Sequence, residues 1–76
     1  MTSAKVDKLV RMANQIGQYF APLPEAEGAS GVANDLERFW APKMIAELVE
    51  WSKTEETGLN EVAARGVKRL RGETNN

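Results

Sequence analysis

The chain has 76 residues, ten Lys and Arg against eleven Asp and Glu, a formal net charge of -1, and neither cysteine nor histidine. These counts exclude disulfides and zinc sites of the Cys/His kind. They leave no net positive field to attract nucleic acid or anionic lipid. A chain of this length makes one domain at most, spanning residues 1–76. Below roughly 70–80 residues a single core rarely supplies more than about 3–5 kcal/mol, so further stability must come from close helix packing, self-association or docking to another protein.

The first helical pattern begins after Ser3, a good N-cap. Val6, Leu9, Val10, Ala13, Ile16, Gly17 and Phe20 recur at i, i+3, i+4 spacing and define one buried face. Lys5, Lys8, Arg11, Gln15 and Gln18 take the opposite side. Gly17 lies on the apolar face, where it costs about 1 kcal/mol in propensity relative to alanine. A missing side chain at that position predicts close approach of another helix. Ala21-Pro22-Leu23-Pro24 ends the pattern and holds Leu23 extended between two prolines. Pro24 suits the first position of a second helix.

That second helix runs through Ala29, Val32, Ala33, Leu36, Phe39 and Trp40, with Gly28 and Gly31 leaving its start anywhere from Glu25 to Gly31. Pro42 begins a third helix carrying Met44, Ile45, Leu48, Val49 and Trp51. With Ala41 alone between the two patterns, the break reads as a kink or a loop. Residues 54–58 form a polar connector ending in Gly58. Asn60 then caps a fourth, short helix, with Glu61 at its first position and Leu59 placed to staple against Ala64. Val62, Ala63, Gly66, Val67 and Leu70 line it, Gly72 stops it, and residues 73–76 form a polar tail. The expected fold is therefore all-α: a small bundle of three main helices plus a short C-terminal fourth, joined by Pro-containing linkers.

Catalytic chemistry finds little support. No histidine or cysteine is available as base, nucleophile or metal ligand. Ser3, Ser30 and Ser52 have no activating residue nearby in sequence, and the pairs Glu47/Glu50 and Glu55/Glu56 read as solvated surface. Gly28 and Gly31 lack the preceding strand and following Lys-Ser/Thr of a phosphate loop. Arg65, Lys68, Arg69 and Arg71 read as complements of a helix C-terminal dipole. Neither aromatics nor a second basic segment accompany them, as a nucleic-acid surface would require. No apolar run approaches the ~20 residues of a membrane span. The N-terminal segment lacks the apolar stretch of a signal peptide, so cytoplasmic residence is expected.

Interaction is better supported. Successive helical residues diverge by about 100°, so Phe39 and Trp40 face different neighbours. The pattern favours the core for Phe39 and leaves Trp40 open between core and interface. Trp and Arg are enriched at binding hot spots, which makes Trp40 with Arg38 the expected contact point. Asn14 sits beside the buried face, where a helix interior disfavours asparagine. It is either a partly exposed polar residue or a hydrogen-bonding group for a buried carbonyl of the inter-helix linker or of a partner.

Lys8-Leu9-Val10-Arg11-Met12-Ala13-Asn14-Gln15-Ile16-Gly17, followed by Phe20, resembles the opening of the delta subunit of NAD-dependent, molybdenum- or tungsten-containing formate dehydrogenases. A second motif of that family, Arg/Lys-Phe-Trp-x-Pro-x-Met, is matched by Arg38-Phe39-Trp40-Ala41-Pro42-Lys43-Met44. The Gly-Leu step before its last helix is matched by Gly58-Leu59-Asn60-Glu61. The departures are Ala41 in place of an acidic residue, a more acidic third helix with Glu47 and Glu50, and Asn60-Glu61 where Ser-Pro is common. The resemblance implies a non-catalytic accessory subunit of a soluble complex that oxidises formate. It would bind the large catalytic subunit and support its assembly, stability or cofactor loading. It further implies that the molybdenum or tungsten pterin, iron–sulfur clusters, FMN and NAD belong to the catalytic and electron-transfer subunits, with none in this chain. Arg11, Asn14, Arg38, Trp40, Lys43 and Met44 are the expected partner-binding residues. The rival expectations are a nucleic-acid-binding regulator using the basic fourth helix and a self-associating helical module.

Overall fold

The computed structural model describes residues 4–72, and every regular element among them is an α-helix. α1 spans Ala4–Phe20, α2 Glu25–Phe39, α3 Pro42–Trp51 and α4 Glu61–Arg71. The expected Ser3 cap and the polar tail at residues 73–76 lie outside the described residues. All four helices contribute to one core: Leu9 and Ala13 from α1, Val32 and Leu36 from α2, Leu48 from α3, Ala63 and Val67 from α4. Leu36, Leu48, Val32 and Val67 are the largest fully buried side chains. Each such side chain contributes on the order of 1.5–3 kcal/mol relative to exposure.

α2 and α4 share the most extensive contact, and α1 packs against both. The sequence reason is small residues facing each other. A Cβ placed on Gly66 of α4 would lie 2.5 Å from the Val32 Cβ of α2 and 3.3 Å from the Ala29 carbonyl oxygen. Only glycine permits that approach. α4 was expected to be the short helix, yet its 11 residues exceed the 10 of α3. α3 has the fewest buried residues, Leu48 alone.

The ends follow their chemistry with two adjustments. Pro24 sits at the N-cap of α2 rather than inside its first turn, and α2 begins at once with Glu25 despite the two glycines. Glu25 and Glu27 fall in the first turn, beside the positive end of the helix. Between α2 and α3 the chain makes a turn, not a kink. Trp40 and Ala41 both leave the helical region, with φ/ψ of -96/144 and -65/146. Pro42 enforces this, because the residue before proline is pushed to extended conformations. Pro42 then occupies the first turn of α3, where its missing N–H does no harm. Asn60 caps α4, and Gly72 closes it in the left-handed region at φ 79.

The 54–58 connector is pinned as well as polar. The Trp51 indole Nε1 donates to the Thr57 carbonyl at 2.9 Å, and the Thr54 hydroxyl donates to the Trp51 carbonyl at 2.8 Å. Trp51 thus packs its ring at the edge of α3 and spends its one donor on the loop that returns the chain to α4.

Candidate partner-docking surface

The turn between α2 and α3 decides where the paired aromatics go, and it reverses the expectation for them. Phe39, expected in the core, is the last residue of α2 and is 72% exposed. Trp40 is 8% exposed and belongs to the core cluster with Leu9, Leu36 and Leu48. Both positions continue the apolar stripe: Phe39 is seven residues after Val32, and Trp40 four after Leu36. The helix ends between them. Trp40 lies one helical turn after Leu36 and is buried on the same side; its extended ψ redirects the chain that follows, not its own side chain. Its backbone N–H still closes the helix by donating to the Leu36 carbonyl at 2.9 Å.

What remains outside is a cationic corner with an aromatic centre. Arg38 lies over the Phe39 ring, its guanidinium carbon 5.6 Å from the ring centroid. That is within cation–π range, and it covers one face of a solvated ring. Arg38, Ala41, Pro42 and Lys43 are exposed, and Met44 is half-buried against the core. Neither Arg38 nor Lys43 has an ion-pair partner among the described residues.

Asn14 has a different employment. Its Nδ2 donates to the Gly58 carbonyl at 2.9 Å, and its Oδ1 accepts from the Asn60 backbone N–H at 2.8 Å. Asn60 answers by donating Nδ2 to the Asn14 carbonyl at 3.0 Å, while its Oδ1 caps α4 by accepting from the Ala63 N–H at 2.9 Å. The two asparagines form a reciprocal clasp between the middle of α1 and the start of α4. Asn14 combines the two alternatives: it is partly exposed, and it bonds a carbonyl of the linker, though that of the exposed Gly58 rather than a buried one. Gly17, one turn further on, leaves room for the clasp: a Cβ there would lie 2.5 Å from Asn60 Oδ1. The expected close approach at Gly17 is therefore made by the α4 cap. Arg11 is exposed on α1. Of the six residues expected to bind a partner, the structure gathers Arg38, Lys43 and Met44 around one turn, buries Trp40 beneath it, and engages Asn14 elsewhere.

The basic residues of α4 divide into two groups. Arg65 bridges Glu25 of α2 and Glu61 of its own helix. Arg71 donates from Nη1 to the Ser52 hydroxyl at 3.3 Å. Lys68 and Arg69 are exposed. Two of the four cations proposed for a nucleic-acid surface are thus engaged within the fold, and a phosphate contact would have to compete for them.

A shallow groove of about 430 Å³ lies between the start of α1 and α3, lined by Lys5, Val6, Ala46, Glu47, Glu50, Trp51 and Thr54. Lys5 crosses it to pair with Glu47 at 3.0 Å. Among the described residues, no group of three acidic side chains converges as metal ligands would. No helix among them is long and apolar enough to cross a membrane.

Residues 8–67 match the family described as the NADH-dependent formate dehydrogenase delta subunit FdsD. No curated protein and no solved structure matches the chain.

Proposed function

The chain belongs to the delta-subunit family of NADH-dependent formate dehydrogenases, and from that premise we propose that it is a non-catalytic accessory subunit that binds the large catalytic subunit. In this reading it works in a soluble cytoplasmic complex and supports assembly, stability or cofactor loading. The observation that carries the reading is the family match across residues 8–67. The side-chain inventory supports it. A chain without cysteine or histidine lacks the donors that hold iron–sulfur clusters, so its residues do not fit one. In this reading, and on the family resemblance, the molybdenum or tungsten pterin, clusters, FMN and NAD belong to the partner subunits.

The physical role open to such a chain is positional. A bundle stapled by the Asn14–Asn60 clasp and the Trp51–Thr57 bond presents a surface of fixed shape. Docking a preformed surface costs less ordering entropy than docking a flexible segment. By mass action, a ligand that binds only the folded large subunit raises that subunit's apparent stability.

Affinity purification of the tagged chain from cells expressing the whole complex tests this. The large catalytic subunit should co-purify, and a complex made without the chain should lose yield, melting temperature or metal-pterin content. Whichever of the three falls identifies the role. The reading is sunk if nothing of the complex co-purifies and all three are unchanged without the chain.

A further inference from the structure

We propose that the α2–α3 corner is a cation-flanked aromatic anchor: Phe39 is the inserted side chain, Arg38 and Lys43 are its charged rim, and the occupant is a carboxylate-rimmed apolar pocket on the large subunit. The proposal rests on the accessory-subunit reading above and specifies the surface through which it acts.

Three observations combine. Phe39 is 72% exposed, although Leu36 and Val32, three and seven residues earlier on α2, are buried. Its position is set rigidly. Trp40 is held in the core immediately after it, and Pro42 locks the next helix start. Arg38 covers one face of the ring at 5.6 Å. With the backbone on both sides of it held in place, insertion of Phe39 orders little more than its own two side-chain torsions.

Charge then selects the occupant. Arg38 and Lys43 are exposed cations without ion-pair partners among the described residues, as are Lys8, Arg11, Lys68 and Arg69, but these two flank an exposed aromatic side chain. Arg38 also lies in the last turn of α2, at the negative end of the helix dipole. That end supports the cation locally but leaves its outward donors free. A second copy of the chain using the same corner about a two-fold axis would set this Arg and Lys pair against itself, because an isologous contact repeats the same patch. Like charges across such a contact oppose association. A partner presenting Asp or Glu around an apolar pocket meets both requirements, and Arg38 can pair with such a carboxylate through two parallel N–H donors.

The experiment measures binding of the full chain to large catalytic subunit prepared from cells lacking the delta subunit, at low and high salt. Circular dichroism of each variant confirms equal helix content. Phe39→Ala should weaken binding about 30-fold or more, as expected for an anchor side chain. The double substitution Arg38→Glu with Lys43→Glu should also weaken it, and should abolish the loss of affinity that added salt causes in the unsubstituted chain. Tyr19→Ala, which removes a comparably exposed aromatic from α1, should bind unchanged. If the unsubstituted chain binds and both corner variants bind equally well, the corner is not the anchor and the accessory-subunit reading survives. If the unsubstituted chain does not bind, that reading itself fails. A concentration-dependent dimer in sedimentation that Phe39→Ala abolishes would make a second copy the occupant and overturn the proposal.

Discussion

Phe39 and Trp40 are adjacent residues of similar apolar character with opposite fates, and they are predicted to behave oppositely on truncation. Trp40→Ala removes a buried ring from the core and should cost about 3–5 kcal/mol in chemical denaturation. Phe39→Ala removes an exposed ring and should stay within about 0.5 kcal/mol of the unsubstituted chain. If the two losses are similar, the α2–α3 turn is wrongly described. A consequence for binding work is that Trp40→Ala confounds docking with folding, since so large a loss is comparable to the whole stability of a small bundle. The asparagine clasp is the other prediction at this scale. Asn14→Ala leaves the part-buried Asn60 N–H without its acceptor and the exposed Gly58 carbonyl to water. It should destabilise by about 1–3 kcal/mol. Asn60→Ala should cost at least the ~1 kcal/mol of a lost N-cap. Because each residue serves the other, the double variant should lose clearly less than the two single losses combined, as a double-mutant cycle will read directly. Asn60 was recognisable as a cap from its own neighbourhood, and it is one. Its tie to Asn14, 46 residues away in sequence, was not, because no local pattern encodes which distant polar group completes an asparagine.

At the level of elements, the four helical patterns and the breaks between them were readable because they rest on local chemistry. Apolar period, prolines after α1 and before α3, an asparagine cap and a glycine stop act within a few residues of themselves. The first failure came where two local signals overlapped. Pro42 acts on Ala41, and the extended run reaches back one further residue to Trp40. The apolar period places both Phe39 and Trp40 on the buried side of α2 and carries no record of where the covering helices stop, so the exposure of Phe39 was not readable. The bounds of α4, from the Asn60 cap to the Gly72 stop, were read as they are; only its rank as the short helix failed, because α3 is one residue shorter. Gly66 supplies the test at this scale. Gly66→Ala gains about 1 kcal/mol of helix propensity, but the new methyl would meet Val32 at under 3 Å and force α2 and α4 apart. Overpacking of this kind costs about 1–3 kcal/mol, so the net effect should be destabilising, read as a lowered denaturation midpoint. A stabilised variant would mean that α2 and α4 do not approach as closely as described.

For the whole molecule, a core shared by all four helices predicts cooperative loss of structure. Urea unfolding of the isolated chain should be a single transition, with a slope of about 1 kcal/mol per molar, at the low end of the range for small proteins. Far-ultraviolet dichroism and tryptophan fluorescence should give the same midpoint, since Trp40 reports the core and Trp51 the α3 end. Separate midpoints would show α3 melting first. Addition of the large subunit should raise the thermal midpoint of the chain if the proposed docking is real.

The amino-acid sequence by itself determined the helical class, the four helical segments with the cap and stop of α4, the lack of thiol and imidazole chemistry, and, through two linked motifs, the family. These properties are set by composition or by interactions within a turn or two of helix, so no distant contact can reverse them. Only the tertiary structure decided which of two neighbouring aromatics is buried, which partner Asn14 takes, and which cations remain unpaired at the surface. Those outcomes depend on where separate helices meet, and a residue's own neighbours in sequence carry no record of that meeting.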